Sequence, residues 1–410
     1  MTHPEPPAAL IPVDEHRDEV LHALVPLRPV RLPLADADGS VLAEDVRAPT
    51  PLPSFDNSAM DGYAVRAADL ARASESSPVR LPVTGEIAAG DTGSYRVEAG
   101  TARRIMTGAL LPDGADAVIP VELTNAGRET VTVRQPVPAG NAVRRRGDDV
   151  AEGTLLLESG TAIGAVEVAL LAAAGQGSVL ARPRPRVAVV STGNELAEPG
   201  SPLVPGQIWE SNSFMLAAAA RQAGAHVQRH RLPDDPGAVL ARLEELLPHT
   251  DLLITSGGVS MGGEHDVVKA ALSKLGTVTF RKVAMQPGMP QGFGVLGAER
   301  RPIFTLPGNP VSAYVSFLLF ALPALAVLQG RSEARLRQVS VALTGPVRSP
   351  AGKRSYLRGL LDDAEVTVTP LTGQSSHQLG ALSRANALII VPEPVTRLED
   401  GAGVDVLCLP

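Results

Sequence analysis

Between residues 187 and 306 short apolar runs alternate with segments of helical apolar spacing. The runs are VAVVS, AHVQRHRL, DLLIT, TVTFRKV and RPIFTL, and the helical spacing falls over 214–222, 236–247 and after Asp266. Apolar runs of this length read as buried strands, and the 3.6-residue spacing between them reads as crossover helices. The pattern therefore predicts a three-layer α/β domain with a parallel-type sheet and right-handed connections. A long apolar stretch, VSAYVSFLLFALPALAVL, follows as a last helix that Pro323 should kink.

On either side the texture is different. Residues 11–24 carry apolar positions at helical spacing, and 31–48 read as two short strands joined through Asp38-Gly39. The prolines of PTPLPS then carry the chain into another unit. Short β-like pieces between Gly and Pro fill 65–149 and predict a small all-β domain. A helix over 161–174, stopped by Gly175, rejoins the first unit, and the Pro-Arg alternation over 182–186 reads as a stiff linker. From 335 onward β texture returns. The expectation is a multidomain α/β plus β chain: a discontinuous N-terminal domain (1–50 and 150–183), an inserted β domain (51–149), the α/β domain (184–331) and a C-terminal β-barrel-like domain (332–410).

Composition narrows the function classes. A chain of 410 residues exceeds one ordinary core. A net charge of −7 with only 3% aromatic residues argues against nucleic acid as the main partner. The one cysteine, Cys408, excludes an intramolecular disulfide framework, which fits the cytoplasm. No basic and apolar leader opens the chain, and no run is expected to span a membrane.

Ligands of open α/β sheets bind beyond the carboxyl ends of the strands. Four polar clusters are expected there: 191–195 with Glu195, Asp234-Asp235, 255–266, and 307–310. The third carries Ser256, Gly257, Gly258, Ser260, Glu264, His265 and Asp266, a glycine loop whose amides suit an anion beside a carboxylate-held metal. Asp56, Asn57, Ser58, Asp61 and Tyr63 gather polar groups in the crossing; taken alone, a capped turn in which Asp56 and Asn57 bond their own backbone explains them better than a site. The run Arg144-Arg145-Arg146 followed by Asp148-Asp149 reads as a solvated face, a salt-bridged hinge or half of an anion site. His377 reads as a loop histidine rather than a metal ligand.

Seven segments, in order, carry a resemblance: FDNSAMDGYAV, RIMTGALLPDGADAV, RRRGDDV, STGNEL, LPDDPGA, SGGVSMGGEHD and TLPGNPVSAYVSF. They resemble the molybdopterin molybdenumtransferase family, and the gephyrin E domain is similar. The resemblance implies a four-domain subunit, a homodimer, and Mg²⁺-assisted insertion of molybdate into adenylyl-molybdopterin with release of AMP. It implies catalytic roles for Asp61, Thr107, Glu195, Asp234, Asp266 and Lys282, with Glu195, Asp234 and Asp266 as the hard oxygen donors that Mg²⁺ prefers. Asp149, Ser256, Gly257, Gly258, Ser260, Pro307, Gly308, Asn309, Pro310, Arg358 and Ser376 would bind the cofactor substrate. One stretch departs from the family: where many members carry lysines in a segment resembling IKPGKP, this chain has Gln286 and Met289, in a loop expected to face the same crevice. An adenylyltransferase-like activity, or a pterin-binding scaffold with weak turnover, is the competing reading.

Overall fold

The structure, a computed structural model, describes residues 10–257, 267–273, 275–331, 336–362 and 364–410. The glycine loop with Gly258, Ser260, Glu264, His265 and Asp266 lies outside the described residues.

The central sheet has six strands in the order His226–Leu232, Arg186–Thr192, Leu252–Ser256, Arg301–Leu306, Pro290–Leu296, Val278–Lys282. The first four are mutually parallel. Because successive side chains point to opposite faces, each apolar run feeds two cores. Val187, Val189, Leu252, Ile254, Phe304 and Leu306 pack with the helices Asn212–Gln222 and Pro310–Ser316. Ala188, Val190, Leu253 and Ile303 pack on the other face with Pro236–Leu246 and Val267–Ser273. Three layers result, as the alternation predicts.

The parallel order stops at one edge. Pro290–Leu296 runs antiparallel to Arg301–Leu306, and Val278–Lys282 antiparallel to it in turn. Met285–Gln286, expected as part of a loop facing the crevice, is instead a short strand paired with Arg354–Leu361 of the C-terminal sheet. Gln286 is exposed there and Met289 half-buried.

That C-terminal sheet closes on itself. Arg354–Leu361, Thr367–Pro370, Gln338–Leu343, Gly403–Cys408 and Ala387–Val391 follow one another, and the last pairs back with the first. Closure leaves none of the five as a free edge, so the barrel-like expectation is met. The barrel docks through Tyr356, Leu388 and Leu407 onto the core formed by Pro310–Leu328.

Near the N-terminus, Val30–Pro33 and Val41–Leu42 do not pair as a hairpin through Asp38-Gly39. Both pair with Ser178–Arg182, which sits between them. The strand ends where the proline alternation begins, so only 183–185 act as a linker. Val46–Arg47 and Leu155–Leu157 lie side by side, and Leu42, Ile163, Leu171 and Val179 share one core. Between them the chain builds a separate five-stranded sheet over residues 62–133, with Tyr63, Leu81, Ile119 and Val131 buried on one side.

The last helix of the α/β domain bears on two expectations. Pro310–Leu328 is 19 residues long and apolar enough to cross a membrane by length and composition, but 78% of it is buried inside the protein. Its apolar character is that of a helix packed on both sides. Pro323, which lacks the amide a regular helix needs, is preceded by a π-helical turn at Phe317–Ala321. A widened turn is one of the ways a helix absorbs such a break.

Candidate functional site

Three of the four strand-end clusters, at 191–195, 256–257 and 308–310, meet at the carboxyl edge of the sheet. They enclose a cavity of about 280 Å³ lined by Ser191, Thr192, Glu195, Trp209, Asn212 and Ser256 among others, with Gly257, Gly308, Asn309, Pro310 and His377 completing the wall. Ser191 and Thr192 end the strand Arg186–Thr192; both are buried, and among the described residues neither hydroxyl has a hydrogen-bond partner. Buried hydroxyls without partners are costly unless a ligand or water meets them.

Asn212 pins three elements together. Its Nδ2 donates to Ser256 Oγ at 2.9 Å and to the Gly308 carbonyl at 2.6 Å. Gly257 takes φ +93°, and a Cβ there would stand 3.0 Å from the Thr192 carbonyl oxygen. Glycine is thus required for the strand Leu252–Ser256 to turn so close to its neighbour. At the helix start, Asn309 Nδ2 donates to Ser376 Oγ at 3.0 Å, and the Val311 amide to the Ser376 carbonyl at 3.0 Å. The barrel loop carrying Ser376 and His377 therefore closes the cavity from the side.

Arg358 holds that loop. It is fully buried in the barrel strand Arg354–Leu361, with Nε donating to Gly373 O at 3.1 Å and Nη2 to Ser375 O at 3.2 Å. Nη1 is buried and has no partner among the described residues. Burial pulls the guanidinium pKa below its ordinary value.

Asp234 sits beside the cavity rather than in its wall. Its carboxylate accepts from the Asn194 amide at 2.9 Å, next to Glu195. Asp235 is a helix cap, accepting from the Ala238 amide at 2.6 Å. Lys282 ends the outermost strand of the sheet and does not line the cavity. Among the described residues no three His, Cys, Asp or Glu side chains converge as a metal site.

Asp61, Thr107 and Asp149 are also absent from the cavity wall. Asp61 and Thr107 form a second polar cluster on the inserted β domain, while the Asp149 amide donates to the Leu52 carbonyl at 3.0 Å. Thr107 donates to Asp61 Oδ1 from both its amide and its hydroxyl, at 2.7 Å each, and these bonds hold the Asp61 carboxyl below the usual carboxylate range. Asp56 accepts from the Arg146 amide and from Arg145 Nη1, both at 2.7 Å, which lowers its pKa in that order of causes. Of the three-arginine run, Arg145 is salt-bridged to Asp56 and Arg146 to Glu152.

The sequence reading missed Trp209 and Asn212. Trp209 is the only tryptophan of the chain, is 53% exposed, and is fixed by its indole N–H on the Ser201 carbonyl at 2.9 Å. A lone aromatic in a short strand, Ile208–Trp209, carries no periodic signal. Asn212 stands at the head of a helix, where a cap explains it equally well.

Residues 11–175 match the MoeA N-terminal region (domain I and II), 188–327 a probable molybdopterin binding domain, and 340–409 the MoeA C-terminal region (domain IV). Molybdopterin molybdenumtransferase 2 of Mycobacterium tuberculosis is 46% identical over 401 residues, covering 96% of this chain and 98% of that one. The chain belongs to the molybdopterin molybdenumtransferase family. The Haemophilus influenzae molybdopterin molybdenumtransferase is 35% identical over 404 residues, covering 97% of this chain and 98% of its own. Among solved structures, the molybdopterin biosynthesis MoeA protein from Pyrococcus horikosii superimposes with a TM-score of 0.77 at 32% identity, covering 98% of this chain and 99% of that chain. Family membership makes the chain an enzyme of molybdenum cofactor biosynthesis.

Proposed function

We propose that the chain inserts molybdate into adenylyl-molybdopterin, with Mg²⁺ and with release of AMP. The observation that carries this reading is the pair of buried, unpartnered hydroxyls of Ser191 and Thr192 facing a cavity beside a helix N-terminus at Asn309-Pro310. That end of a helix favours an anion, and the exposed indole of Trp209 offers the opposite wall a flat face for a ring.

Glu195 and Asp234 flank the Asn194 turn, and with Asp266 they would hold Mg²⁺. Such a site suits that ion, which uses one or two carboxylates and takes its remaining ligands from water and substrate phosphate. The ion would neutralise phosphate charge when bound. Ser191, Thr192, Asn212 and Ser256 orient the pterin portion, while Arg358 acts from outside the cavity by holding the loop that carries Ser376 and His377. No side-chain nucleophile is needed. An oxygen of molybdate or of water bonds to the adenylyl phosphorus as its bond to the bridging oxygen breaks, so AMP leaves with the new oxygen and the terminal phosphate stays on the pterin; orientation with charge stabilisation lowers that barrier. The Asp61–Thr107 cluster, outside the cavity of its own chain, would complete the site of a second copy across a two-fold axis. The cytoplasm is the expected compartment.

Supplying adenylyl-molybdopterin, molybdate and Mg²⁺ should release AMP, whereas molybdopterin with Mg·ATP should release no pyrophosphate. Pyrophosphate in the second reaction would establish the adenylyltransferase reading instead. Pterin binding with no AMP in the first would leave a scaffold.

A further inference from the structure

A second cavity, of about 740 Å³, opens at the opposite edge of the central sheet, at the amino ends of the strands. The seven-residue strand Arg186–Thr192 runs from one cavity to the other, a span of roughly 20 Å. Substrates of such sheets bind at the carboxyl edge, so this cavity is not part of the site described above.

Its walls come from three places. The segment after the first helix supplies Leu24, Leu27 and Arg28; the N-terminal sheet supplies Leu32 and Asp36; and the α/β domain with its linker supplies Pro183, Arg184, Arg186, Arg300, Arg301 and Pro302. The lining combines apolar side chains with guanidinium groups.

Two of those guanidiniums are committed. Arg186 grips Asp251 with Nε at 3.0 Å and Nη2 at 2.9 Å, and Arg301 Nη1 reaches the same carboxylate at 3.3 Å. Arg301 Nη2 also meets Glu299 at 3.2 Å. Arg184 donates only to a backbone carbonyl, that of Gly224, at 2.9 Å. Arg28 and Arg300 have no side-chain hydrogen bond or ion pair among the described residues. Asp36, exposed on the outer wall, is the only cavity acid left without a cation. In a chain of net charge −7 this is a local excess of uncompensated positive charge.

A single exposed arginine is ordinarily just solvated. Here three of them, from three segments distant in sequence, converge on one concavity that also has apolar side chains in its lining. Arg300 is held in the left-handed region at φ +51°, a conformation uncommon for a residue other than glycine. Planar guanidinium forks match phosphate oxygens in bidentate geometry. Pockets of a few hundred to a thousand Å³ hold small organic ligands when apolar walls are combined with a few polar anchors.

We propose that this cleft binds a phosphorylated organic molecule of nucleotide size, its apolar part against Leu24, Leu27 and Pro302 and its phosphates on Arg28, Arg184 and Arg300. Such a ligand touches the N-terminal sheet and the α/β domain together, so its binding fixes the angle at the 183–185 linker. It acts as an effector rather than as substrate.

Titration calorimetry on the full chain, with ADP, pyrophosphate and adenosine as probes, tests the site. ADP should bind, added salt should weaken it, and adenosine should not bind measurably. Arg28→Gln with Arg300→Gln should weaken ADP by at least roughly tenfold, since each lost charge-assisted contact is worth about that factor. Both side chains are exposed and unpaired, so the fold should survive. Hydrogen exchange with ADP present should show protection over 23–40, 183–186 and 297–301. Undiminished ADP binding in the double variant, protection confined to the carboxyl edge, or no binding of ADP and pyrophosphate by the wild type would each overturn the proposal.

Discussion

Asn212 joins the head of a helix, the end of a strand and the Gly308 turn through one amide nitrogen. Without it, Ser256 Oγ keeps, among the described residues, the Pro307 carbonyl at 3.5 Å. Asn212→Ala should therefore cost about 1–2 kcal/mol of stability, measured by urea unfolding, and lower AMP release by at least roughly tenfold. Asn212→Asp should be worse, because a carboxylate oxygen would then face the Gly308 carbonyl. Arg358 acts over a longer reach. Arg358→Lys keeps a cation but cannot supply both Nε and Nη2, so the loop over 373–377 should loosen its hold on Asn309 and Val311. The expected readout is a fall in AMP release that higher molybdate does not fully restore, with far-ultraviolet circular dichroism unchanged.

The helix Val13–His22 carries His16, whose ring is 4% exposed and stands edge-on to Phe320 at 4.9 Å. Burial first, and the charge of Arg281 second, push its pKa down to about 4. Between that value and the ordinary 6.5 the unfolded chain takes up a proton that the folded chain refuses. The stability tied to neutral His16 is thus complete above pH 6.5, is lost as pH falls toward 4, and changes no further below it. The loss is about 3 kcal/mol. Urea unfolding of His16→Leu, compared above pH 6.5 and near pH 4, should show a smaller pH dependence than the wild type. Which elements the sequence disclosed follows equally physical lines. VAVVS, DLLIT and RPIFTL are buried on both faces, and such strands are apolar throughout. Pro290–Leu296 escaped notice because PQGFGVL looks like a turn; yet its glycines are what admit it to the sheet. A Cβ at Gly292 would lie 1.8 Å from Thr305 Oγ1, and one at Gly294 2.1 Å from the Thr277 carbonyl. Ser178–Arg182 was hidden by the proline-arginine alternation that begins at its end. At the cavity, glycine and asparagine turns gave away residues 256–257 and 308–310, while Trp209 lies in a two-residue strand with no pattern of its own.

Two polar clusters, one around the cavity and one at Asp61–Thr107, lie on different domains, and no cavity wall residue comes from the inserted β domain. If each active site draws one cluster from each of two copies, an Asp61→Ala chain and an Asn212→Ala chain should rescue one another. Mixing the two, each nearly inactive alone, under conditions that allow subunit exchange should restore AMP release to roughly a quarter of the wild-type rate, since in a random mixture half the dimers are mixed and each has one intact site. No recovery, with exchange verified by light scattering of tagged chains, would place each site within a single subunit. The position of Trp209 has a further use. Because it is the sole indole of the chain and stands half in solvent at the cavity rim, emission excited at the red edge, where the four tyrosines do not absorb, comes from one known address. A molecule entering there should shift or quench that light, and the amplitude should saturate with one event per chain. Arrival at this rim can therefore be timed and counted without a label, while a ligand that settles only at the far edge of the sheet leaves the glow as it was.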